Sequence, residues 1–357
     1  MENLDLAINS EIPSRVPADD ESVAGLLFSI GFSKNGNWCS NVQLYYGEYD
    51  EINIDQQYYN NTLVSRINHP SFETLFDNDL IVGSCNGLVC LSIPRMNDPV
   101  YICNPFTSEY VYLPKTINEE GFLVSGFGYH RSTDEYKVVR IYYPDQHSMG
   151  RVEVYTLGSG NGWRDKGEIP YSLFASSGIL ANGALHWLDY KEWKIVAFDL
   201  ADEEFRLLPS PPCFSCFFPS PLPCCFDLYG VGRLCVVHHE RSERVDIWSL
   251  KQENSSWSWS REFSIAWECL DKDGEYEPFA ITKNNEVLLW YNGTILSCYD
   301  PKTETFKKLM DDMGIQYFQA ITHMNSSVSL KALEENSKKI IGQLHNYMCE
   351  VDMSWRF

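Results

Sequence analysis

Cys213-x-x-Cys216, Cys224-Cys225 and His238-His239 are the residues of this chain whose types and spacing come nearest to metal chemistry. A structural zinc is usually held by two ligand pairs on tight turns. Here the first Cys pair lies in a loop rich in Pro and Phe, and the histidines end an apolar strand, so ordinary thiols and a strand-end His pair are the favoured reading. No metal or cofactor is therefore expected. Nucleophilic and phosphate chemistry find less support: the chain lacks a Gly-x-Ser-x-Gly elbow, a phosphate-cradling glycine loop and a His-Glu-x-x-His pair. Glu203-Glu204, Asp311-Asp312 and Glu334-Glu335 fall in turns or the tail, where adjacent acids are normally solvated rather than tuned as a catalytic pair. His186, between Leu185 and Trp187, reads as a strand residue with a satisfied ring nitrogen. The chain is not expected to be an enzyme.

The elements that carry these residues follow a repeat. Five strand-like runs each end on an aromatic or Cys followed by Asn, Asp, Ser or Thr, then a polar turn and a second aromatic. They are Cys103-Asn104 with Tyr110, Tyr155-Thr156 with Trp163, Phe198-Asp199 with Phe205, Trp248-Ser249 with Trp257, and Tyr299-Asp300 with Phe306. Successive gaps of 52, 43, 50 and 51 residues are too long for helical hairpins and match the blades of kelch-like propellers. Earlier in several units an Asn-containing turn separates two apolar runs, as at Asn86-Gly87, Asn182-Gly183 and Asn284-Asn285. Each unit reads as four strands. The expected fold is all-β, a kelch-like β-propeller of about six blades. Strands near 26–54 and the run Phe318–Thr322 with Val328–Leu330 are expected to share the closing blade and protect both edges. The second aromatics, Tyr110 and Trp163 among them, are expected to be blade packing.

Composition narrows the function. The 357 residues carry a formal charge of −21 and no clustered Lys/Arg stripe, which argues against nucleic acid and leaves a field that would steer basic protein partners. No run approaches the 18 apolar residues of a membrane span, and the acidic N-terminus has no signal core, so no membrane contact is expected. Twelve Cys then read as reduced, mostly buried thiols, implying a cytoplasmic or nuclear location.

Several ordered stretches resemble the F-box-associated domain of plant F-box proteins, the group that includes S-locus F-box and F-box/kelch-repeat proteins. They are Gly83-Ser84-Cys85-Asn86-Gly87-Leu88-Val89-Cys90, Asn104-Pro105-Phe106-Thr107-Ser108, Gly126-Phe127-Gly128-Tyr129, Asp134–Val139, Glu153–Leu157, Asn182–Trp187 and Phe198-Asp199-Leu200. The resemblance spans residues 25–331 and implies target recognition within an SCF ubiquitin-ligase pathway, with ubiquitin transfer left to other subunits. In such proteins a preceding F-box binds the Skp adaptor and, through it, the cullin. Residues 1–24 read here as disordered or as a truncated F-box remnant: Pro13 would break its first helix, and the apolar helices that should follow are missing. Coupling to Skp and cullin is thus not implied by the chain's own residues. A stand-alone interaction protein that competes with intact relatives is the alternative, and an enzymatic propeller working at its central channel is a third. Residues 332–357 read as a partly helical tail, with helical spacing over 331–348.

For partner contact the notable residues are aromatics in turns, where burial is not demanded: Trp193, Phe214, Phe217 and Phe218 of the loop with six prolines, and Tyr142-Tyr143 before Pro144. Aromatic anchors on loops are common interface hot spots. The competing reading is that they cap blade ends.

Overall fold

The computed structural model describes residues 24–34, 37–48, 65–74, 81–93, 98–114, 121–217, 226–230, 233–240, 244–253, 256–266, 276–282, 284–291, 295–309 and 315–333. Strands β1 (Ala24–Lys34), β2 (Asn37–Glu48) and β3 (Ser65–Thr74) open the chain. Blade 2 comprises β4 (Ile81–Cys85), β5 (Leu88–Ile93), β6 (Asp98–Asn104) and β7 (Glu109–Tyr112). Blade 3 comprises β8 (Phe122–His130), β9 (Glu135–Tyr143), β10 (Gly150–Thr156) and β11 (Trp163–Ile169). Blade 4 comprises β12 (Ser177–Ala181), β13 (Ala184–Asp189), β14 (Lys194–Asp199) and β15 (Phe205–Leu207). Blade 5 comprises β16 (Phe226–Gly230), β17 (Leu234–Glu240), β18 (Arg244–Glu253) and β19 (Ser256–Ala266). Blade 6 comprises β20 (Tyr276–Ile281), β21 (Val287–Tyr291), β22 (Ile295–Asp300) and β23 (Thr305–Lys308). The last strand, β24 (Ile315–Met324), pairs with β1, so blade 1 runs β24-β1-β2-β3. The C-terminal strand donates the inner position and the N-terminal strands the other three, which leaves no open edge between the two ends.

Six apolar clusters hold the ring, one between each blade and the next. Alternation along a strand sends successive side chains to opposite faces. Leu88 and Cys90 accordingly pack toward blade 3, while Val89 and Leu91 pack toward blade 1. Such strands are apolar on both faces, and the unbroken apolar runs in the sequence follow from that. Inner strands contact one another around the axis in the order β24, β4, β8, β12, β16, β20.

The repeat has a physical cause. Cys103, Tyr155, Phe198, Trp248 and Tyr299 all lie on the third strand of their blades. In blades 2, 4 and 6 the next residue is an Asx cap: Asn104 Oδ1 accepts from the backbone N–H of Phe106 (2.9 Å), Asp199 Oδ1 from Ala201 (2.8 Å) and Asp300 Oδ1 from Lys302 (2.8 Å). Four residues past each cap, Ser108, Glu203 and Glu304 adopt positive φ and turn the chain into strand four. The second aromatic then stands opposite the first, with ring separations of 5.5 Å for Tyr155–Trp163, 4.9 Å for Phe198–Phe205 and 4.8 Å for Tyr299–Phe306.

Two expectations need correction. Tyr110 stands opposite Cys103 but is 47% exposed, because the short β7 leaves its outer face bare. Trp257 packs against the cluster between blades 4 and 5 as expected, although it stands opposite Gln252 and not Trp248 because a register shift falls at Trp248. Val328–Leu330 adds no strand; residues 325–333 lie against blades 2 and 3 and end in the short helix α1 (Leu330–Leu333). The N-terminal segment 1–23 and the tail beyond 333 lie outside the described residues.

Trp163 is half-buried, packs beside Tyr155 and donates from its indole Nε1 to the carbonyl of Pro114 at 2.9 Å. Trp163→Ala is expected to cost about 2–4 kcal/mol, from lost packing plus a carbonyl left without its donor. A urea midpoint unchanged from the parent would show that this indole does not join blades 2 and 3.

Candidate partner-binding rim

In an antiparallel four-stranded blade, turns 1–2 and 3–4 fall on one rim of the ring, and turns 2–3 and the inter-blade links on the other. The first rim also receives the start of β1 and the end of β24, because β24 fills the inner position of its blade. The second rim carries the sequence-predicted aromatics. Tyr142 and Tyr143 end β9, Trp193 closes the β13–β14 turn, and Phe214 lies in the link from blade 4 to blade 5.

These residues separate by burial. Tyr143 and Phe214 are core: Tyr143 stacks on Phe122 at 4.8 Å and donates its hydroxyl to Tyr171 O at 2.8 Å, while Phe214 joins the cluster between blades 4 and 5. Neither offers area to a partner, which corrects the expectation for both. The 3-10 helix Pro212–Phe217 draws Phe214 inward, its N–H donating to Pro211 O at 3.0 Å. The side chain of Phe217 and all of Phe218 lie outside the described residues. Tyr142 and Trp193 are partly exposed, and Trp193 packs against the same cluster between blades 4 and 5 that buries Phe214.

Trp193 has φ of 53°, a left-handed conformation that is strained for a bulky side chain and is normally given to Gly or Asn. The turn before it is fixed by Asp189, whose Oδ1 accepts from Lys191 N–H at 2.9 Å. The link from β11 to β12 lies alongside: Tyr190 N–H donates to Ser172 O at 2.9 Å and Phe174 N–H to Leu188 O at 3.0 Å. This places Phe174, 41% exposed, with its ring 5.5 Å from Tyr190 and 6.0 Å from Trp193. Tyr190 OH and Lys191 Nζ both reach Gln146 O in the β9–β10 turn, at 3.3 Å each. Blades 3 and 4 thus share one tied patch of Phe174, Tyr190 and Trp193, with exposed Met149 and Leu207 on the same rim. Phe174 and Tyr190 escaped the sequence reading. Phe174 follows Leu173 in a link without periodicity, and only the backbone bonds to blade 4 reveal that it faces out.

The remaining candidates resolve differently. His186 is buried, and its ring Nδ1 donates to Ile179 O at 3.0 Å; burial holds its pKa down at about 4, so it is neutral. Cys213 and His238 are buried, and Cys224, Cys225 and the side chain of Cys216 lie outside the described residues. Among the described residues no three potential ligands gather to hold a metal. Burial raises the thiols of Cys85 and Cys90 well above their usual range and that of Cys103 to about 12, the opposite of what a nucleophile needs. Asp311-Asp312 and Glu334-Glu335 lie outside the described residues.

Glu203 corrects the expectation of a solvated turn acid. Its carboxylate takes two bonds from Arg164, at 2.8 and 2.6 Å, with Lys137 Nζ at 2.9 Å and Lys166 Nζ at 3.1 Å. Lys137 is itself buried and also donates to Leu200 O at 2.7 Å. With Arg164 leading and the two lysines behind it, the Glu203 pKa falls to about 2. The four side chains join blade 3 to blade 4.

At the axis, where a channel enzyme would work, neighbouring inner strands are tied to one another in two places. β8 and β12 pair in parallel at Ser125–Ser177 and Gly126–Gly178. Gln319 of β24 bonds both the N–H (2.9 Å) and the C=O (3.1 Å) of Ile81 in β4. A Cβ on Gly178 would sit 2.4 Å from the ring of Trp187, so the approach needs glycine there.

A family model for the F-box associated beta propeller domain matches residues 37–333. The chain belongs to the F-box-associated β-propeller family. It is 32% identical over 290 residues to F-box protein At3g07870 of Arabidopsis thaliana, covering 68% of each chain. It is 29% identical over 198 residues to the F-box/kelch-repeat protein At3g23880 of the same plant, covering 52% of each. F-box protein CPR1, also from Arabidopsis thaliana, is 27% identical over 268 residues, covering 64% of this chain and 63% of its own. The chain thus spans about half to two thirds of the length of these relatives. Among solved structures, the nidogen/laminin complex aligns with 85% of this chain and 99% of that one, at 12% identity and a TM-score of 0.46. F-box-associated domains are interaction domains of generally non-catalytic proteins. No helix among the described residues is long and apolar enough to cross a membrane.

Proposed function

We propose that this chain is the target-recognition domain of an SCF-type ubiquitin ligase substrate receptor, without catalysis of its own, and that targets dock on the rim formed by the 2–3 turns and inter-blade links of blades 3 and 4. One observation carries the reading. Of the five large hydrophobics exposed among the described residues, Met149, Phe174 and Leu207 all fall on that rim, and the strained Trp193 stands among them. A surface that gathers aromatic side chains in this way supplies the anchors that interface hot spots are built from. The charge of −21 favours a target with a basic surface by long-range attraction. Ubiquitin transfer and attachment to the adaptor belong to other subunits or segments.

Trp193→Asn is the telling substitution, since Asn tolerates the left-handed turn while removing the indole. Target capture from an extract of the native tissue should weaken by about 1–2 kcal/mol, as should capture by Phe174→Ser. The thermal midpoint of Trp193→Asn should fall only modestly, since the indole rests against the cluster between blades 4 and 5 without being buried in it. Unchanged capture by both variants would remove this rim from the binding reaction.

A further inference from the structure

The opposite rim carries a second built surface, and part of this chain already sits in it. After β24 the chain crosses the turns of blades 2 and 3 as residues 325–333. Asn104, whose Oδ1 caps its own turn, donates from Nδ2 to the carbonyls of Ser326 (2.9 Å) and Val328 (2.8 Å). The carboxylate of Glu109 accepts from Leu330 N–H at 2.6 Å, from Lys331 N–H at 3.4 Å and from the Ser329 hydroxyl at 3.0 and 3.2 Å. Leu330 is buried in the cluster between blades 2 and 3, with Val328 and Leu333 partly buried against it. Two glycines clear the path: a Cβ on Gly87 would lie 2.2 Å from Ser326, and one on Gly158 would lie 2.3 Å from Leu333 O.

This recognition is directed at backbone. Carbonyls two residues apart go to one amide, and successive N–H groups go to one carboxylate, as in grooves that bind peptides rather than in side-chain packing. Only Leu330 is fully buried, and Ser327, Lys331 and Ala332 are exposed, so the seat asks little of most positions. We propose that the cleft over blades 2 and 3 is a second peptide-binding site, occupied in cis by residues 325–333. The partner it fits is an extended segment entering a serine-capped helical turn whose first residue is leucine. The chain's own segment competes with such a partner through its high effective concentration, so binding in trans requires its release.

The test uses the full chain carrying Leu330→Asp, which removes the buried anchor, and a fluorescent, end-blocked peptide with the sequence of residues 325–333. The peptide should bind this variant saturably and at least about tenfold more tightly than it binds the parent chain. Adding Glu109→Gln should lower that affinity by about tenfold, because a charge-assisted acceptor becomes neutral. A peptide with Asp in place of its leucine should not bind. Leu330→Ala serves for the same comparison if Leu330→Asp does not fold. Equal binding of the leucine and aspartate peptides to a folded variant would overturn the proposal. So would failure of both variants to fold, since the segment would then be an inseparable part of the ring.

Discussion

Glu203→Gln is expected to lower the unfolding free energy by about 2–4 kcal/mol, the cost of removing one partner from a mostly buried ion cluster, reduced because Arg164 and Lys166 are about one-third exposed. Glutamine keeps the shape but loses the charge that Lys137, Arg164 and Lys166 share. Lys137 is left buried against Glu135 and the carbonyl of Leu200. The loss should appear in a urea titration at pH 7. Because the folded pKa of Glu203 is depressed to about 2, its contribution is complete above the usual carboxylate range and disappears only as pH falls through about 2. At pH 5 the difference between parent and variant should therefore equal that at pH 7. A difference that shrinks by pH 5 would mean that the clasp does not hold the charge as described.

A second large effect is expected from mild acid. His186 and His323 are both buried, and burial holds both pKa values at about 4, against 6.5 in the unfolded chain. A depressed folded pKa makes the unfolded state bind the proton first, so the stability from these residues is complete above pH 6.5 and is lost as pH falls toward 4. At pH 5 the loss is about 2 kcal/mol for each histidine, a large share of the margin of an ordinary domain. Asp98, whose carboxyl burial raises, acts in the opposite direction and becomes more favourable as it protonates. His323 makes this an effect on ring closure, since its Nδ1 meets Ser84 Oγ of β4 at 2.8 Å and its ring stands edge-on to Tyr46 of β2 at 5.8 Å. Urea midpoints at pH 7.5 and pH 5 should differ strongly for the parent and weakly for a His186→Gln/His323→Gln double variant. An equal slope in both proteins would assign the acid sensitivity elsewhere.

Much of the ring was legible because each blade repeats a local rule. The aromatic or Cys that ends a strand, the Asn or Asp after it and the polar turn before a second aromatic can be read from Cys103-Asn104, Phe198-Asp199 and Tyr299-Asp300 without tertiary knowledge, whereas the positive φ at Ser108, Glu203 and Glu304 cannot. The shared closing blade was legible as well, since a repeat that buries its faces only on its neighbours must meet itself. The site was less so, because turn position alone does not decide burial. Phe214 and Trp193 look alike in sequence, yet Phe214 is buried in the cluster between blades 4 and 5 while Trp193 only packs against it and stays partly exposed. Phe174 carries no pattern at all, and Glu203 looks like any turn acid until blade 3 supplies its three cations. What stayed hidden was set by contacts between blades, which sequence separation conceals.

Targets are proposed to meet the rim of Phe174, Tyr190 and Trp193 rather than the rim that holds the start of β1 and the end of β24. A photo-crosslinking amino acid placed at position 174, with position 132 in the β8–β9 turn of the opposite rim as the control, tests this directly in the full chain. Both positions are exposed, so reactivity reports proximity to the captured protein. Covalent adducts to the target are expected from position 174 and none from position 132. Adducts from position 132 alone would contradict the proposal.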